Sequence, residues 1–298
     1  MEISLENIED SFEAAPHKSE FQRFISVFFG RKVVMFGTVI LLMLILGAIF
    51  APQIAPHNPY HQNLREALQQ PSWKYLLGTD WLGRDTLSRM IYGSRISLAV
   101  GIIAVGSGSF IGMMLGLVAG YFGGAVNTII MRFIDAMMSI PPIMFALSIA
   151  AALGGGLVNL MIALCLGFIP TMARLMCGQV LSVKQSDYVT AGEMIGGSNL
   201  RIMLAHIFPN CLPPLIVMVT LGLGMAILIE SGLSFLGIGV NPPVATWGGM
   251  VSDGYEYLLI NPILSIAPGC CIILVVLAFN IVGDGLRDAF DPRLRGTL

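Results

Sequence analysis

The chain has 298 residues, of which 55% are apolar and only 11% charged, with a mean hydropathy of +0.80 and a formal net charge of −2. A soluble domain carries roughly 25% charged residues, so this composition excludes a soluble fold and indicates a membrane protein in contact with lipid. The near-neutral charge gives no overall basic field, and nucleic acid is therefore not an expected partner.

The first part of the chain predicts one transmembrane helix between two polar segments. Residues 1–32 are polar and acidic at the start, and they are predicted to be a cytoplasmic N-terminal tail. Residues 33–51 contain no charge and would be about 28 Å long as a helix, which matches the hydrocarbon thickness of a bilayer. Residues 52–95 are predicted to form an external segment, in which residues 86–97 make an interfacial amphipathic helix.

Five further spans are predicted within residues 96–283, at 96–120, 126–152, 157–173, 215–238 and 263–282. The polar stretch at about 174–212 cannot lie in lipid and is predicted to be a cytoplasmic loop. Residues 284–298 are predicted to be a cytoplasmic C-terminal tail. The expected fold class is thus all-α, with six transmembrane helices and both termini in the cytoplasm, because Lys and Arg concentrate in the segments placed inside. The external segment is the exception, since it also carries Arg and Lys.

Glycine and proline mark two special features of the spans. Glycines spaced four apart leave one face of the second span nearly bare, which predicts close packing of another helix against Gly108, Gly112, Gly116 and Gly120. The third span contains Pro141 and Pro142. Proline breaks are tolerated where neighbouring helices or a watery cavity satisfy the freed carbonyl groups, so these prolines are candidates for lining a pathway.

Charged residues at the membrane level are few. Glu230 lies well inside the fifth span, where an ionised carboxylate is costly, so we expect it to face a pathway or a partner. A structural hydrogen bond between helices is the alternative, and the sequence leaves both open. Arg132 and Asp135 are three residues apart and are predicted to form an ion pair on one helix face.

Motifs for catalysis are absent from the sequence. There is no GxxxxGK[ST] phosphate-binding loop, so the chain is not expected to hydrolyse ATP, and no HExxH metalloprotease motif occurs. The five cysteines contain no CxxC pair and predict no metal or redox site. We therefore expect a non-catalytic chain that binds no cofactor of its own.

The predicted cytoplasmic loop contains a recognisable pattern. It runs Asp187-Tyr188-Val189-Thr190-Ala191-Gly192 and continues through Gly196 and Arg201 to Ile207-Phe208-Pro209. This stretch resembles the EAA loop of permease subunits in binding-protein-dependent ABC importers. Ala191, Gly196, Ile207 and Pro209 fit the pattern. Thr190 stands in place of its glutamate, Gly192 in place of its second alanine and Phe208 in place of its leucine.

Three further stretches extend the resemblance. They are Leu77-Gly78-Thr79-Asp80-Trp81-Leu82-Gly83-Arg84-Asp85, Leu233-Ser234-Phe235-Leu236-Gly237-Ile238-Gly239 with Pro242-Pro243 and Trp247-Gly248, and Gly283-Asp284-Gly285-Leu286-Arg287-Asp288-Ala289-Phe290-Asp291-Pro292. These are similar to the C-type permease subunit of dipeptide and oligopeptide importers.

The resemblance implies a bacterial multi-pass protein of the cell membrane with a type I ABC importer permease fold, whose core domain covers residues 96–283. It also implies three kinds of partner protein. A second, B-type permease chain would complete the pathway, two ATPase subunits would bind ATP and Mg, and an extracytoplasmic binding protein would deliver peptides. The EAA loop would receive the ATPase movement through Asp187, Tyr188, Thr190, Ala191, Gly192, Gly196, Arg201, Ile207 and Pro209.

Other functions remain open from the sequence alone. The same architecture serves nickel chelates or another small solute in related C-type subunits. A stand-alone secondary transporter would need coupling-ion carboxylates in its spans, and only Glu230 lies centrally enough. An intramembrane enzyme lacks a plausible set of catalytic residues.

Overall fold

A computed structural model describes residues 20–290, with side chains from residue 24. Within that range the chain is helical and contains no β-strand; the predicted tails beyond it, 1–19 and 291–298, lie outside the described residues. The helices are α1 (Glu20–Gly30), α2 (Lys32–Ile49), α3 (Ala51–Ile54), α4 (Thr86–Phe122), α5 (Gly124–Met138), α6 (Pro142–Leu153), α7 (Leu157–Val183), α8 (Asp187–Met194), α9 (Asn199–Arg201), α10 (Phe208–Phe235), α11 (Trp247–Tyr255) and α12 (Ile263–Phe290). A π-helical turn, Ile202–Ile207, joins α9 to α10.

Helices α4 and α7 pack backbone to backbone at the glycine face. A Cβ atom added at Gly108 would lie 2.5 Å from the carbonyl oxygen of Cys165, and one at Gly116 would lie 2.3 Å from that of Ala173. Gly112 meets the Ile169 carbonyl oxygen at 2.5 Å in the same way, and at Gly120 the nearest atom is in the Val180 side chain, 2.7 Å away. No residue other than glycine leaves room for this approach.

The register of this contact shows how the chain crosses the membrane. Each step of four residues towards the C-terminus of α4 shifts its contact by four residues towards the C-terminus of α7, so the two helices run parallel. The chain between them must therefore return to the starting side. Helices α5 and α6 make this return as one span, bent by 87°. Together with the five other helices that are long and apolar enough to span, the described residues contain the six predicted spans.

Contacts between the helix ends define two sides. On one side Arg31 forms an ion pair with Asp288, and the Lys184 ammonium donates to the Tyr121 carbonyl oxygen at 2.8 Å. On the other side, the Asn261 side-chain amide donates to the Gln69 carbonyl oxygen at 3.2 Å. The two ends of the described chain and the segment at 184–198 thus share one side, opposite the segments 55–85 and 236–262.

Two predicted boundaries are wrong, and the third span has the break that its two prolines predicted. Residues 86–97 do not form a separate interfacial helix, because they are the start of the 37-residue α4, whose first turn is covered by protein: Ser88 is 0% and Arg89 4% exposed. The third span is interrupted at residues 139–141, where Pro141 is extended and Pro142 begins α6; proline has no N–H to continue the preceding helix. The fourth span does not end at residue 173.

Helix α7 instead continues through Arg174 to Val183, so the loop begins ten residues later than predicted. It can do so because Arg174 forms an exposed ion pair with Asp135 on α5. The predicted pair between Arg132 and Asp135 is therefore replaced by a contact between two helices.

Candidate functional site

The first candidate site is a helix–turn–helix element on the side shared by the chain ends. Helix α8 is followed by a turn at residues 195–198, and α9 then leads through the π-helical turn into α10. Gly196 has a φ angle of +82° in this turn. A side chain there would strain the backbone, although a Cβ atom would meet no other atom within 4 Å.

The predicted EAA-loop residues divide into an anchored set and an exposed set. Gly192 is buried and Ile207 is 0% exposed, so these two hold the element against the bundle. The others are exposed: Asp187, Tyr188, Thr190, Ala191, Gly196, Arg201 and Pro209. Pro209 lies in the first turn of α10, a position where its missing N–H costs nothing.

The end of this element presents apolar side chains to the outside. Met194 is 83% exposed, Ile195 87% and Leu200 65%. They lie at the end of α8, in the turn and in α9, on either side of Gly196. Exposed apolar side chains grouped in this way are typical of a protein–protein contact.

The helix–turn–helix element is held against the spanning helices by hydrogen bonds and buried side chains. The Tyr121 hydroxyl at the end of α4 donates to the Asn199 side-chain oxygen at 3.0 Å. Val189 and Ile202 belong to the same buried cluster as Leu117 of α4 and Met176 of α7. These contacts join the exposed end of the element to two spanning helices through packed side chains.

A second candidate site is a cavity of about 270 Å³ between α6, α7 and α10. None of its lining residues is charged, and Thr171 supplies its side-chain hydroxyl. Pro142 lines this cavity, whereas Pro141 is exposed but does not border it. The full lining is Pro142, Ala146, Leu164, Gly167, Phe168, Thr171, Met172, Met218, Leu221, Gly222, Met225 and Ile229.

Glu230 does not border this cavity, and its predicted exposure to a pathway or a partner is wrong. Its side chain is 0% exposed in the single chain, so neither solvent nor a second chain reaches it in this conformation. The Ser234 hydroxyl donates to Oε1 at 2.8 Å and the Ser231 hydroxyl lies 3.4 Å from Oε2. The neighbouring residue Ile229, and not Glu230, turns towards the cavity.

On the opposite side of the membrane the structure contains a buried charge network that the sequence analysis did not identify as a site. Asp80 accepts hydrogen bonds from the backbone N–H groups of Leu82 and Arg84, both at 2.9 Å. Its Oδ2 atom is 2.6 Å from Nε of Arg84 and 3.4 Å from Nε of Arg89. Four charged residues within ten positions, all in a segment between spans, were the available signal.

Asp253 of α11 lies next to this network. Removal of water by the surrounding protein raises the pKa of its carboxyl group, and the positive charges of Arg89 and Arg84 oppose that rise. A cavity of about 340 Å³ separates this part of α11 from the external segment. The chain thus has charged groups on one side, an apolar cavity in the middle and an exposed apolar element on the other side.

This arrangement is that of a polytopic membrane protein with an apolar cavity, a charged cavity and an exposed apolar element. A family model described as "Binding-protein-dependent transport system inner membrane component" matches residues 112–296. Another, "N-terminal TM domain of oligopeptide transport permease C", matches residues 19–71. The chain therefore belongs to the family of inner-membrane components of binding-protein-dependent transport systems, and its N-terminal part is of the permease C type.

Relatives and one solved structure agree with this assignment. The di/tripeptide transport system permease protein DppC of Pseudomonas aeruginosa is 39% identical over 98% of this chain and 98% of its own length. The dipeptide transport system permease protein DppC of Haemophilus influenzae is 42% identical over 93% of this chain and 96% of its own. The glutathione transport system permease protein GsiD of Pectobacterium atrosepticum is 37% identical over 99% and 97%.

Among solved structures, a chain of the MetNI methionine ABC transporter, in inward facing conformations, superposes with a TM-score of 0.57. The match covers 68% of this chain and 97% of that chain at 18% identity, so it supports the fold alone. The predicted fold, an ABC importer permease with six spans, is confirmed.

Proposed function

We propose that this chain is the C-type permease subunit of a bacterial ABC importer for small peptides. The relatives named above carry peptide substrates in their names and align with nearly the whole chain. This near-complete alignment is the observation that carries the choice of peptides over nickel chelates. In this proposal a second, B-type permease chain completes the pathway along the apolar cavity of α6, α7 and α10.

Two ATPase subunits, which hold ATP and Mg, act on the element formed by α8 and α9. The support for this step is its exposed apolar end at Met194, Ile195 and Leu200. Since this side then faces the cytoplasm, both chain ends are cytoplasmic and the segments 55–85 and 236–262 face outward. The extracytoplasmic binding protein delivers its peptide there.

The test is uptake by the assembled complex in proteoliposomes, with ATP enclosed and the purified binding protein outside. We expect ATP-dependent accumulation of a labelled dipeptide that an unlabelled dipeptide reduces and a nickel chelate does not. Replacing both Met194 and Ile195 by serine should reduce ATPase binding, while Leu259→Ser, an exposed apolar change on the other side, should not. Dipeptide uptake equal to that of empty liposomes, with strong nickel uptake, would reject the peptide assignment.

A further inference from the structure

The cavity on the outward side differs in chemistry from the cavity at the middle of the bundle. It measures about 340 Å³ and lies between the segment that precedes α4, the loop after α10 and helix α11. Arg84 and Arg89 line one wall, and Asp253 lines another. Polar side chains complete it, namely Gln62, Ser234, Asn241, Thr246 and Ser252. The middle cavity contains no charged residue at all.

The positive groups in this cavity are short of acceptors. Arg84 is 3% exposed and Arg89 4%, yet both depend on one carboxylate oxygen of Asp80, at 2.6 and 3.4 Å. A guanidinium group has five N–H donors. Among the described residues Arg84 uses its Nε atom alone for a side-chain hydrogen bond, and Arg89 adds a long 3.5 Å contact to the Pro59 carbonyl oxygen.

Asp253 does not fill this gap. It forms no ion pair within 4 Å in the described part of the chain, and its residue is exposed at the rim of the cavity. A guanidinium pairs best with a carboxylate, through two parallel hydrogen bonds. Two nearly buried arginines that share one carboxylate therefore leave a place for a second one.

We propose that this cavity receives a carboxylate, and that its source is an acidic side chain of the docked binding protein. The inference rests on the proposed function, in which a binding protein docks on this side. The cavity shares no lining residue with the middle cavity, so a group held here is not in transit through the bundle. An inserted side chain fits this position better than cargo does.

The direct test is the affinity of the purified binding protein for the complete complex in nanodiscs without nucleotide, measured by biolayer interferometry. Arg84→Gln and Arg89→Gln should each weaken docking by about tenfold or more, because the inserted carboxylate loses its buried partner. Arg84→Lys, which keeps the charge but not the paired geometry, should lose less. Arg65→Gln removes an exposed outward charge away from the cavity and should change affinity less than about twofold.

A second pair of variants does not disturb the buried network. Asp253→Asn removes a negative charge at the rim and should tighten docking of an acidic group, whereas Glu256→Gln, three residues further and outside the cavity, should not. Sodium acetate should compete with docking in the wild-type complex more than sodium chloride of equal ionic strength, and this difference should vanish in Arg84→Gln.

Three results would overturn the proposal: unchanged docking by assembled Arg84→Gln and Arg89→Gln complexes, weaker docking by Asp253→Asn, or equal competition by acetate and chloride. Suppose that the Arg84→Gln and Arg89→Gln complexes dock the binding protein normally but take up less free dipeptide. If their uptake of C-terminally amidated dipeptide is unchanged, the cavity binds cargo instead. If peptides are not the substrate at all, wild-type uptake is absent while docking can still be measured. Failure of this inference, in contrast, leaves wild-type uptake intact.

Discussion

The glycine contact between α4 and α7 gives a prediction that can be worked out from distances. In Gly116→Ala, the new methyl group would lie 2.3 Å from the Ala173 carbonyl oxygen and 2.8 Å from Cβ of Met176. Non-bonded carbon contacts lie at roughly 3.5 Å or more, so the two helices would have to separate locally by about 1 Å. The nearest atom belongs to the backbone, and rotation of a side chain cannot relieve the clash.

We expect Gly116→Ala to destabilise the chain by about 1–3 kcal/mol, the usual range for overpacking. Gly112→Ala, with the Ile169 carbonyl oxygen at 2.5 Å, should behave alike. Gly106→Ala is the matched control, because it lies in the same helix and a Cβ atom there meets nothing within 4 Å. Alanine also favours a helix by about 1 kcal/mol over glycine, so this control should be neutral or stabilising.

The assay is thermal unfolding of the purified complex, followed by the loss of its monodisperse peak in fluorescence-detected size-exclusion chromatography. Gly178→Ala on α7 serves as a second control, since a Cβ atom there also has no neighbour within 4 Å. If Gly116→Ala and Gly106→Ala show the same midpoint, the close approach of the two backbones does not stabilise the fold and the argument for six spans loses its main support.

Three further predictions concern other parts of the chain. Gly196→Leu should reduce both ligand-stimulated ATPase activity and uptake in assembled complexes because of the +82° φ angle, while Gly196→Asn, which tolerates that angle, should lose less; equal activity of the two variants would contradict this. Glu230→Gln should leave uptake near the wild-type level because the amide keeps an acceptor oxygen for Ser234, whereas Glu230→Leu should lower the unfolding midpoint, and wild-type stability of Glu230→Leu would argue against a structural role. In a cysteine-free background, Leu259→Cys and Trp73→Cys should react with an impermeant thiol reagent in intact cells, and Ile195→Cys after permeabilisation only, since all three side chains are highly exposed; the opposite order would invert the topology.

Features set by composition and spacing were predictable from the sequence. Uncharged stretches of sufficient length identified the spans, because lipid excludes unpaired polar groups whatever the tertiary fold. The four-residue glycine spacing predicted a close helix contact, because glycines that lack side chains along one helix face can be recognised in the sequence without knowing the fold.

Features that depend on distant partners were not predictable. Arg174 looked like the end of a span, because its partner Asp135 lies 39 residues earlier on another helix. Glu230 was expected at a pathway, but it is 0% exposed because other helices pack around it, and this packing cannot be read from the residues near it in the sequence. Trp247 lies in the segment between two spans, yet it is 1% exposed and its indole N–H donates to the Met90 carbonyl oxygen at 3.0 Å, 157 residues earlier in the chain.

The contact between α4 and α7 also limits how the chain can move. Two parallel helices that touch through their backbones along three turns form one rigid unit, because sliding either helix would bring a carbonyl group of one into contact with the backbone of the other. The bent pair α5–α6, which connects the two, is attached at each end by glycines with positive φ angles, Gly123 and Gly124 before it and Gly154 and Gly156 after it. Three of these four have no atom within 4 Å of an added Cβ, and the fourth, Gly156, has one at 3.9 Å. The glycine joints at the two ends of the bent pair therefore have room for backbone rotation, whereas the contact between α4 and α7 is too close for the two helices to slide.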